Sequence, residues 1–394
     1  MADTVHNAQG AKATTMFAAR HEAVSRGSVG NLIDQPYLSI VMPSRNDDYG
    51  GNALRRMQVA LSALLVQLEK HRIESELILV DWNPPADKPL LKDVIRWPAD
   101  RLKYCTVRVI VVQASIHRRY KHSDKIPFNG IVAMNCGIRR GRGQFILPKQ
   151  MDSVYSEETM AFISSKNLKE DQRYHVDRYD VNRNAIQCNT LNQLLNYCEN
   201  YVIRINAQDP QEHRRFRWIR NDVPNLHTMA SGDFMLMSRR CWHLLHGYFE
   251  ADIAGAYVDG LLCYASYAAG VREVVLNTPN RIYHIDHDDK FNDRIITHKL
   301  PLENWISLPF IPKWANRKII GLYRRFLVLM GYKIKSSVRG VPTLEYSEYR
   351  KMCRQVVTGK RPYIFNDENW GLGGESLEEF IISVADWDKQ YAAN

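Results

Sequence analysis

The sequence holds no run of about 18 uninterrupted apolar residues, so no transmembrane helix is read in it. The first 31 residues lack the apolar stretch of a secretory signal. They are basic and contain Ala, Ser and Thr, a faintly transit-like composition that Asp3 and Glu22 interrupt. No Cys-x-x-Cys pair occurs. The seven cysteines, an odd number, are scattered over positions 105 to 353, which argues against a disulfide framework and a zinc site. Reduced thiols in a cytoplasmic setting are expected. No Gly-x-Gly-x-x-Gly follows the first apolar strand and no Walker A lysine loop is present, which disfavours ordinary dinucleotide and P-loop chemistry. Internal repeats, low-complexity blocks and nucleic-acid motifs of known spacing are also missing.

What remains is a chain of 394 residues, 45% hydrophobic, with a formal net charge of +10. That is enough for one large domain or two modest ones with a sizeable core. Arg and Lys cluster at 117–125, 139–142, 213–220 and 317–325. A basic surface suits the phosphates of a sugar nucleotide, an anionic membrane or nucleic acid, and each cluster is equally accounted for as a solvated face. Without a motif to accompany the charge, no nucleic-acid partner is expected.

The chain is organised around residues 131–159. A helix with an apolar face and small residues (130–140) ends at Gly141 and Gly143 and feeds a short apolar strand, 144–148; Asp152 follows just past the strand end. In open α/β sheets ligands sit outside the carboxyl ends of strands. A carboxylate there either caps the next turn or holds a hard divalent cation that neutralises a diphosphate.

Upstream, 37–43 reads as a strand, 53–71 as an amphipathic helix carrying Leu54, Met57, Leu61, Leu64, Leu65 and Leu68, and 76–85 and 107–113 as further buried strands. Such alternation predicts a mostly parallel sheet with right-handed crossovers. The first strand ends in Pro43, Ser44, Arg45, Asn46 and Asp47, the second in Asp81, Trp82 and Asn83. Asp81 there either receives a ribose or base or is a turn residue, and Trp82 offers an aromatic face or packs. Arg45 faces phosphate or a surface salt bridge. Downstream, 174–181 reads as one short strand and 182–225 as irregular apart from a helix near 190–200. A strand ending at Ser238, a helix closed by Gly247, a helix with Asp259 at its start and Gly270 at its stop, and a further strand complete the alternation.

Four pieces in this order resemble the GT-A glycosyltransferases, in particular the family-two class of nucleotide-diphospho-sugar transferases. They are YLSIVMPSRN, ELILVDWNPP, NCGIRRGRGQFILPKQMD, and GDFMLMSRRCWHLLHGYFE followed by VDGLL. The resemblance covers roughly 37–290. It implies a GT-A, Rossmann-like α/β fold with a mostly parallel central sheet flanked by helices. Asp81 would contact the nucleoside, and Pro43, Arg45, Asn46, Asn135 and Arg139 would join it in binding the donor nucleotide. Asp152 would match the last Asp of the family's D-x-D motif and reach the metal. His284 or His287 would match a C-terminal histidine that adds a metal ligand. Gly232 and Asp233 would lie at the acceptor, and Asp259 would be the base of an inverting transfer. Two departures stand out: Gln150 replaces the first Asp of D-x-D, and Val258 the first member of the acidic pair. Oxygen ligands suit Mg²⁺ or Mn²⁺, and a histidine favours Mn²⁺.

Three segments are expected: an N-terminal arm (1–35), the transferase domain (36–290), and a helical C-terminal extension (291–394) packed on the core. In the extension, 317–335 is basic and apolar in helical alternation, which suits either peripheral membrane contact or docking on the core. Residues following Glu375 and Ser376 are read as a helix. The expected activity is transfer of a sugar from a UDP- or GDP-sugar to a hydroxyl on a glycan, lipid-linked or small-molecule acceptor. A catalytically silent nucleotide-binding or scaffold protein of the same fold is the alternative.

Overall fold

Runs of aliphatic and β-branched residues become buried strands when helices cover both faces of a sheet. The computed structural model describes residues 33, 35–97, 102–207, 223–253, 257–287, 319, 322–323, 341–344 and 346–382. In chain order the strands are β1 Leu38–Ser44, β2 Ser75–Trp82, β3 Cys105–Val112, β4 Phe145–Pro148, β5 Ser153–Tyr155, β6 Gln172–Val176, β7 Arg178–Val181, β8 Val202–Asn206, β9 Leu236–Ser238, β10 Arg272–Leu276, β11 Ile282–Ile285 and β12 Glu378–Ile382. The longer helices are α1 Ala53–Lys70, α2 Gly130–Arg140, α3 Glu157–Ser164, α4 Leu191–Asn200, α5 Arg239–Leu245, α6 Val258–Ala268 and α7 Tyr346–Val357.

An eight-stranded sheet runs in the order β10-β6-β9-β4-β1-β2-β3-β12. Strands β1 to β4 are parallel, as are β6 and β10; β9 is antiparallel to both β4 and β6, and β12 is antiparallel to β3. The fold is therefore mixed α/β, with a large, mostly parallel central sheet flanked by helices. The chain winds from β1 outward to β3, then returns across β1 to place β4 on its other side. That reversal opens a crevice at the carboxyl ends of β1 and β4.

Strand periodicity sorts the side chains between two cores. Leu38, Ile40 and Met42 of β1, with Leu77 and Leu79 of β2, meet Met57, Leu61, Leu64, Leu65 and Leu68 of α1. Val41, Ile78 and Val80 turn the other way, onto Val132, Ala133, Cys136 and Ile138 of α2. Helix α2 lies so close to β1 that a Cβ on Gly137 would sit 2.3 Å from Val41 Cγ1, and one on Gly143 would sit 2.5 Å from the Ser39 nitrogen. These small residues are required by that approach.

The structure revises several expectations. The stretch 174–181 is two strands: β6 stays in the main sheet, and after Asp177 the chain enters a second sheet, ordered β5-β11-β7-β8. Strand β8 follows α4 where only irregular chain was expected. The helix expected after Ser376 is strand β12, because its Phe380, Ile381 and Ile382 pair along the open edge of β3 and Glu379 reaches Arg108. Among the described residues the C-terminal region therefore contributes one long helix, α7, besides this strand. Helix α7 meets α6 through Tyr349, whose ring stacks on Tyr257 at 5.0 Å. The expected arm lies outside the described residues up to position 32, as does nearly all of 317–335. All seven cysteines are unpaired.

A buried charge network ties β12 to the core. Glu76, fully buried in β2, accepts from Ser39 Oγ at 2.6 Å, Arg142 N at 2.5 Å and Arg108 at 2.7 Å. Burial opposes its ionisation, but Arg108 and the hydrogen bonds hold its pKa below the usual carboxylate value. Arg108 also holds Glu379 at 2.6 and 3.1 Å. Removing one partner of a buried pair leaves an uncompensated charge, so Glu76→Ala is expected to cost about 3–5 kcal/mol in a urea unfolding titration. A loss below about 1 kcal/mol, the size of an exposed pair, would show that the network does not hold the sheet.

Candidate functional site

At the crevice beside β1 and β4, Asp152 follows β4 on a tight turn, and the next residue starts β5. Strand β11 pairs with β5 in antiparallel register, matching His284 with Ser153, so His284 arrives beside Asp152. His287, just past β11, joins them. One ligand atom from each of Asp152, His284 and His287 lies within 4.8 Å of the others. Nε2 of His284 is 3.6 Å from Asp152 Oδ1, and Nε2 of His287 is 3.5 Å from Oδ2. The sequence places these three residues together only through the resemblance; the β5–β11 pairing supplies the physical reason.

A second layer fixes the ligands. His284 Nδ1 lies 3.1 Å from Asp180 Oδ1 on β7, so that contact selects the tautomer leaving Nε2 for a metal. Asp180 also accepts from Asn206 Nδ2 at 2.9 Å and from Arg204, and lies in an ion pair 3.0 Å from the Arg178 guanidinium. Burial opposes ionisation of Asp180, but His284, Arg178 and Arg204 hold its pKa far below the usual value. Burial also works against a charged His284, yet Asp152 and Asp180 raise its pKa. Sequence reasoning placed Asp180 on a strand without a role. Its link to His284 is a register fact, since β7 pairs with β11 and sets His284 opposite Asp180.

Asp152 is almost wholly buried and meets Arg56 of α1 in an ion pair. Arg56 also donates to the carbonyls of Tyr49 and Gly51, tying the loop after β1 to the same carboxylate. Lys149, fully buried, donates to the carbonyls of Gln150, at 2.9 Å, and Ser153. Burial pushes its ammonium down to about 7. For Asp152, burial favours the neutral acid, but His284, Arg56, His287 and Lys149 together lower its pKa. One carboxylate and two imidazoles could hold a divalent ion, and Asp180 orients one of the imidazoles.

Gln150, in place of the first D-x-D carboxylate, donates Nε2 to the Gly232 carbonyl at 3.2 Å. An ionised Asp has no proton to give in that bond. Gly232 N in turn donates to Asp259 Oδ2 at 2.9 Å, and Ser231 Oγ donates to the same oxygen at 2.9 Å. Asp259, in the first turn of α6, is thereby linked through two hydrogen bonds to the segment that carries Asp152. Asp233 is buried in an ion pair with Arg178 at 2.7 Å, and burial raises its pKa despite that partner. Its carboxylate therefore braces the site from below, while Gly232 lines the link to Asp259.

The proposed nucleotide residues divide. Pro43, Arg45, Asn46 and Asp81 gather at the carboxyl ends of β1 and β2. Arg45 Nε donates to Asn83 O at 2.7 Å and its NH1 pairs with Asp47 at 2.8 Å, while Asn46 Nδ2 donates to Pro89 O at 2.9 Å. Asp81 Oδ2 accepts from Leu91 N at 2.8 Å, but its other oxygen is buried with no hydrogen-bond partner. Trp82 packs in the core, its indole donating to His117 Nδ1 at 2.9 Å. Asn135 and Arg139 lie elsewhere. Asn135 is buried within α2, its amide clamping Tyr248 O and Glu250 at 2.7 Å each and Tyr248 N at 2.8 Å. Arg139 sits at the end of α2, at the amino edge of the sheet, donating to Trp370 O at 3.1 Å. Helical spacing could not reveal that α2 leads away from the crevice.

The half-satisfied Asp81 carboxyl has a measurable cost. Burial pushes its pKa up to about 6, against the Leu91 N–H that favours the ionised form. A folded-state value above the unfolded one means that stability is greatest below about pH 4 and falls as pH rises to about 6. Asp81→Asn keeps an acceptor for Leu91 and removes the charge. Its thermal midpoint should exceed the native one at pH 7, by up to on the order of 3 kcal/mol of stability, and match it near pH 4. Equal midpoints at both pH values would mean that the carboxyl is not strained by burial.

No family model matches the sequence, and no curated protein matches it. Among solved structures the chain is similar to S. aureus TarS, residues 1–349, in complex with UDP-GlcNAc, with 12% identity and a TM-score of 0.37 over 64% of this chain and 59% of that one. It is similar to a second S. aureus TarS structure at 14% identity and TM-score 0.39, over 72% of this chain and 42% of that one. GalNAc-T7 with UDP, GalNAc and Mn²⁺ matches at 14% identity and TM-score 0.39, over 69% of this chain and 48% of that one. The chain thus spans less than two thirds of each of these structures, and its functional reading stands on its own residues.

Proposed function

We propose that the chain is a GT-A-like glycosyltransferase that moves a sugar from a UDP- or GDP-sugar to an acceptor hydroxyl with inversion. The observation that carries this reading is the Asp152–His284–His287 group, braced by Asp180, at the crevice where the strand order reverses. Asp152, His284 and His287 would hold a divalent ion, Mn²⁺ by donor type, which when bound neutralises the departing diphosphate. The unpartnered Asp81 oxygen suits an N–H or O–H of the nucleoside, and the Pro43–Asn46 segment borders the same place.

In the transfer, the acceptor oxygen forms a bond to the anomeric carbon while the bond from that carbon to the diphosphate breaks, its electron pair leaving with the diphosphate. Asp259 Oδ1 takes the acceptor proton. Ser231 and Gly232 hold Oδ2, which fixes the plane of that carboxylate. The acceptor is a hydroxyl of a glycan, a lipid-linked sugar or a small molecule.

A catalytically silent, nucleotide-binding scaffold is favoured by two observations: Asp152 already has a cation in Arg56, and Gln150 and Val258 stand where acidic partners would be expected. Calorimetry with UDP, GDP and their sugar conjugates, with and without Mn²⁺, separates the two. The transferase reading expects metal-dependent binding of one nucleotide, weakened about 10–100-fold in Asp152→Ala and in His287→Ala. Failure to bind any nucleotide would remove the donor site. Asp259→Asn should bind the donor as the native chain does yet lose roughly a hundredfold or more in turnover. Donor binding without turnover in the native chain would establish the scaffold.

A further inference from the structure

A groove of about 440 Å³ opens at the amino edge of the main sheet, bordered by Arg139, Arg239, Arg240, His243, Gln144 and Glu170. Its position follows from topology. Arg139 ends α2 just before β4, Arg239 follows β9, which pairs Ser238 with Phe145 at the start of β4, and Glu170 precedes β6. The proposed donor crevice is at the other end of β4. The four residues of that strand, at about 3.3 Å each, separate the two.

The charge of the groove is not internally balanced. Among the described residues, none of the three arginines forms an ion pair. Arg139 gives one N–H to Trp370 O and lays its guanidinium 5.1 Å over the Trp370 ring. Arg239 gives one to Arg142 O at 3.1 Å. Each guanidinium carries five N–H donors in a planar fork, so most of them point to no protein acceptor. The single carboxylate, Glu170, accepts from Gln144 at 3.2 Å and is not within ion-pair reach of any of the three. His243 shares the surroundings: burial, then Arg139 and Arg239, push its pKa down to about 4, so it remains a neutral imidazole in a positive field.

We propose that this groove is an anion site for a soluble, phosphate-bearing ligand, distinct from the donor crevice. Planar guanidinium forks match the tetrahedral oxygens of phosphate in paired hydrogen bonds. The volume lies in the range of small-ligand sites. A soluble polyphosphate reaches this open groove directly, and the vesicle titration below separates it from a lipid headgroup. This inference does not rest on the transferase reading and survives its failure.

The test is calorimetric titration of the full chain with tripolyphosphate in EDTA, which silences any metal-held site, at low and near-physiological salt. The native chain should bind at both, more weakly at the higher salt. Arg239→Gln with Arg240→Gln, two exposed side chains, should lose affinity about tenfold or more, or about 1.4 kcal/mol. Glu170→Gln should tighten binding, because it removes the one negative charge from the groove. Asp152→Ala should bind tripolyphosphate as the native chain does. Absence of binding by the native chain, or equal affinity in the double variant, overturns the proposal. So does arginine-dependent binding to phosphatidylglycerol vesicles that tripolyphosphate fails to displace, which would assign the patch to a membrane.

Discussion

The constraint on which the rest depends is a negative charge held inside the protein at Asp152. An ionised carboxylate removed from water is tolerated only when cations and hydrogen bonds replace its hydration. Here those partners come from three separate parts of the chain: Arg56 from α1, Lys149 just after β4, and His284 and His287 from β11 and the residues beyond it. Asp180 and Arg178 of β7 stand behind the histidine, and Asp233 stands behind Arg178. Segments from position 56 to position 287 therefore have one permitted arrangement around a single oxygen pair. The second sheet has a clear purpose in this light, since β11 brings His284 to Asp152 and β7 places Asp180 behind that histidine.

The same network defines the chemistry available. Arg56 supplies a permanent positive charge, so a divalent ion held at Asp152 would share its carboxylate with a guanidinium. The missing first acidic residue reinforces that picture, because Gln150 turns toward Gly232 and contributes a structural hydrogen bond where a ligand would add charge. As a ligand set, one carboxylate and two imidazoles would carry less negative charge than two carboxylates and would shift preference from Mg²⁺ toward softer ions.

Much of this was legible in the residues. The β-branched runs, the α1 stripe and the glycines after α2 located β1 to β4 and the helices that cover them, because buried parallel strands and amphipathic helices leave periodic traces. Asp152, His284 and His287, which only the resemblance connects in the sequence, lie together in the structure. What was not legible depends on pairing between distant segments. Nothing local distinguishes the five residues 378–382 as a strand, since their spacing also suits one face of a helix; the open edge of β3 decides. Asp180 reads as an ordinary strand residue until β7 is set against β11. Asn135 and Arg139 matched a motif, yet the direction in which α2 runs takes Arg139 to the far edge of the sheet and leaves Asn135 to hold the 248–250 turn.

Strand β12 comes from the last tenth of the chain, yet it covers the edge of a strand made in the first third. An uncovered edge is a row of unpaired backbone donors and acceptors that invites pairing with another molecule. During synthesis, β3 therefore stays open until the chain through residue 382 has emerged, with Arg108 lacking Glu379. The nascent chain can build its core early but cannot cover this edge of β3 until β12 follows, so its period of greatest aggregation risk is set by the length of the chain between the two strands.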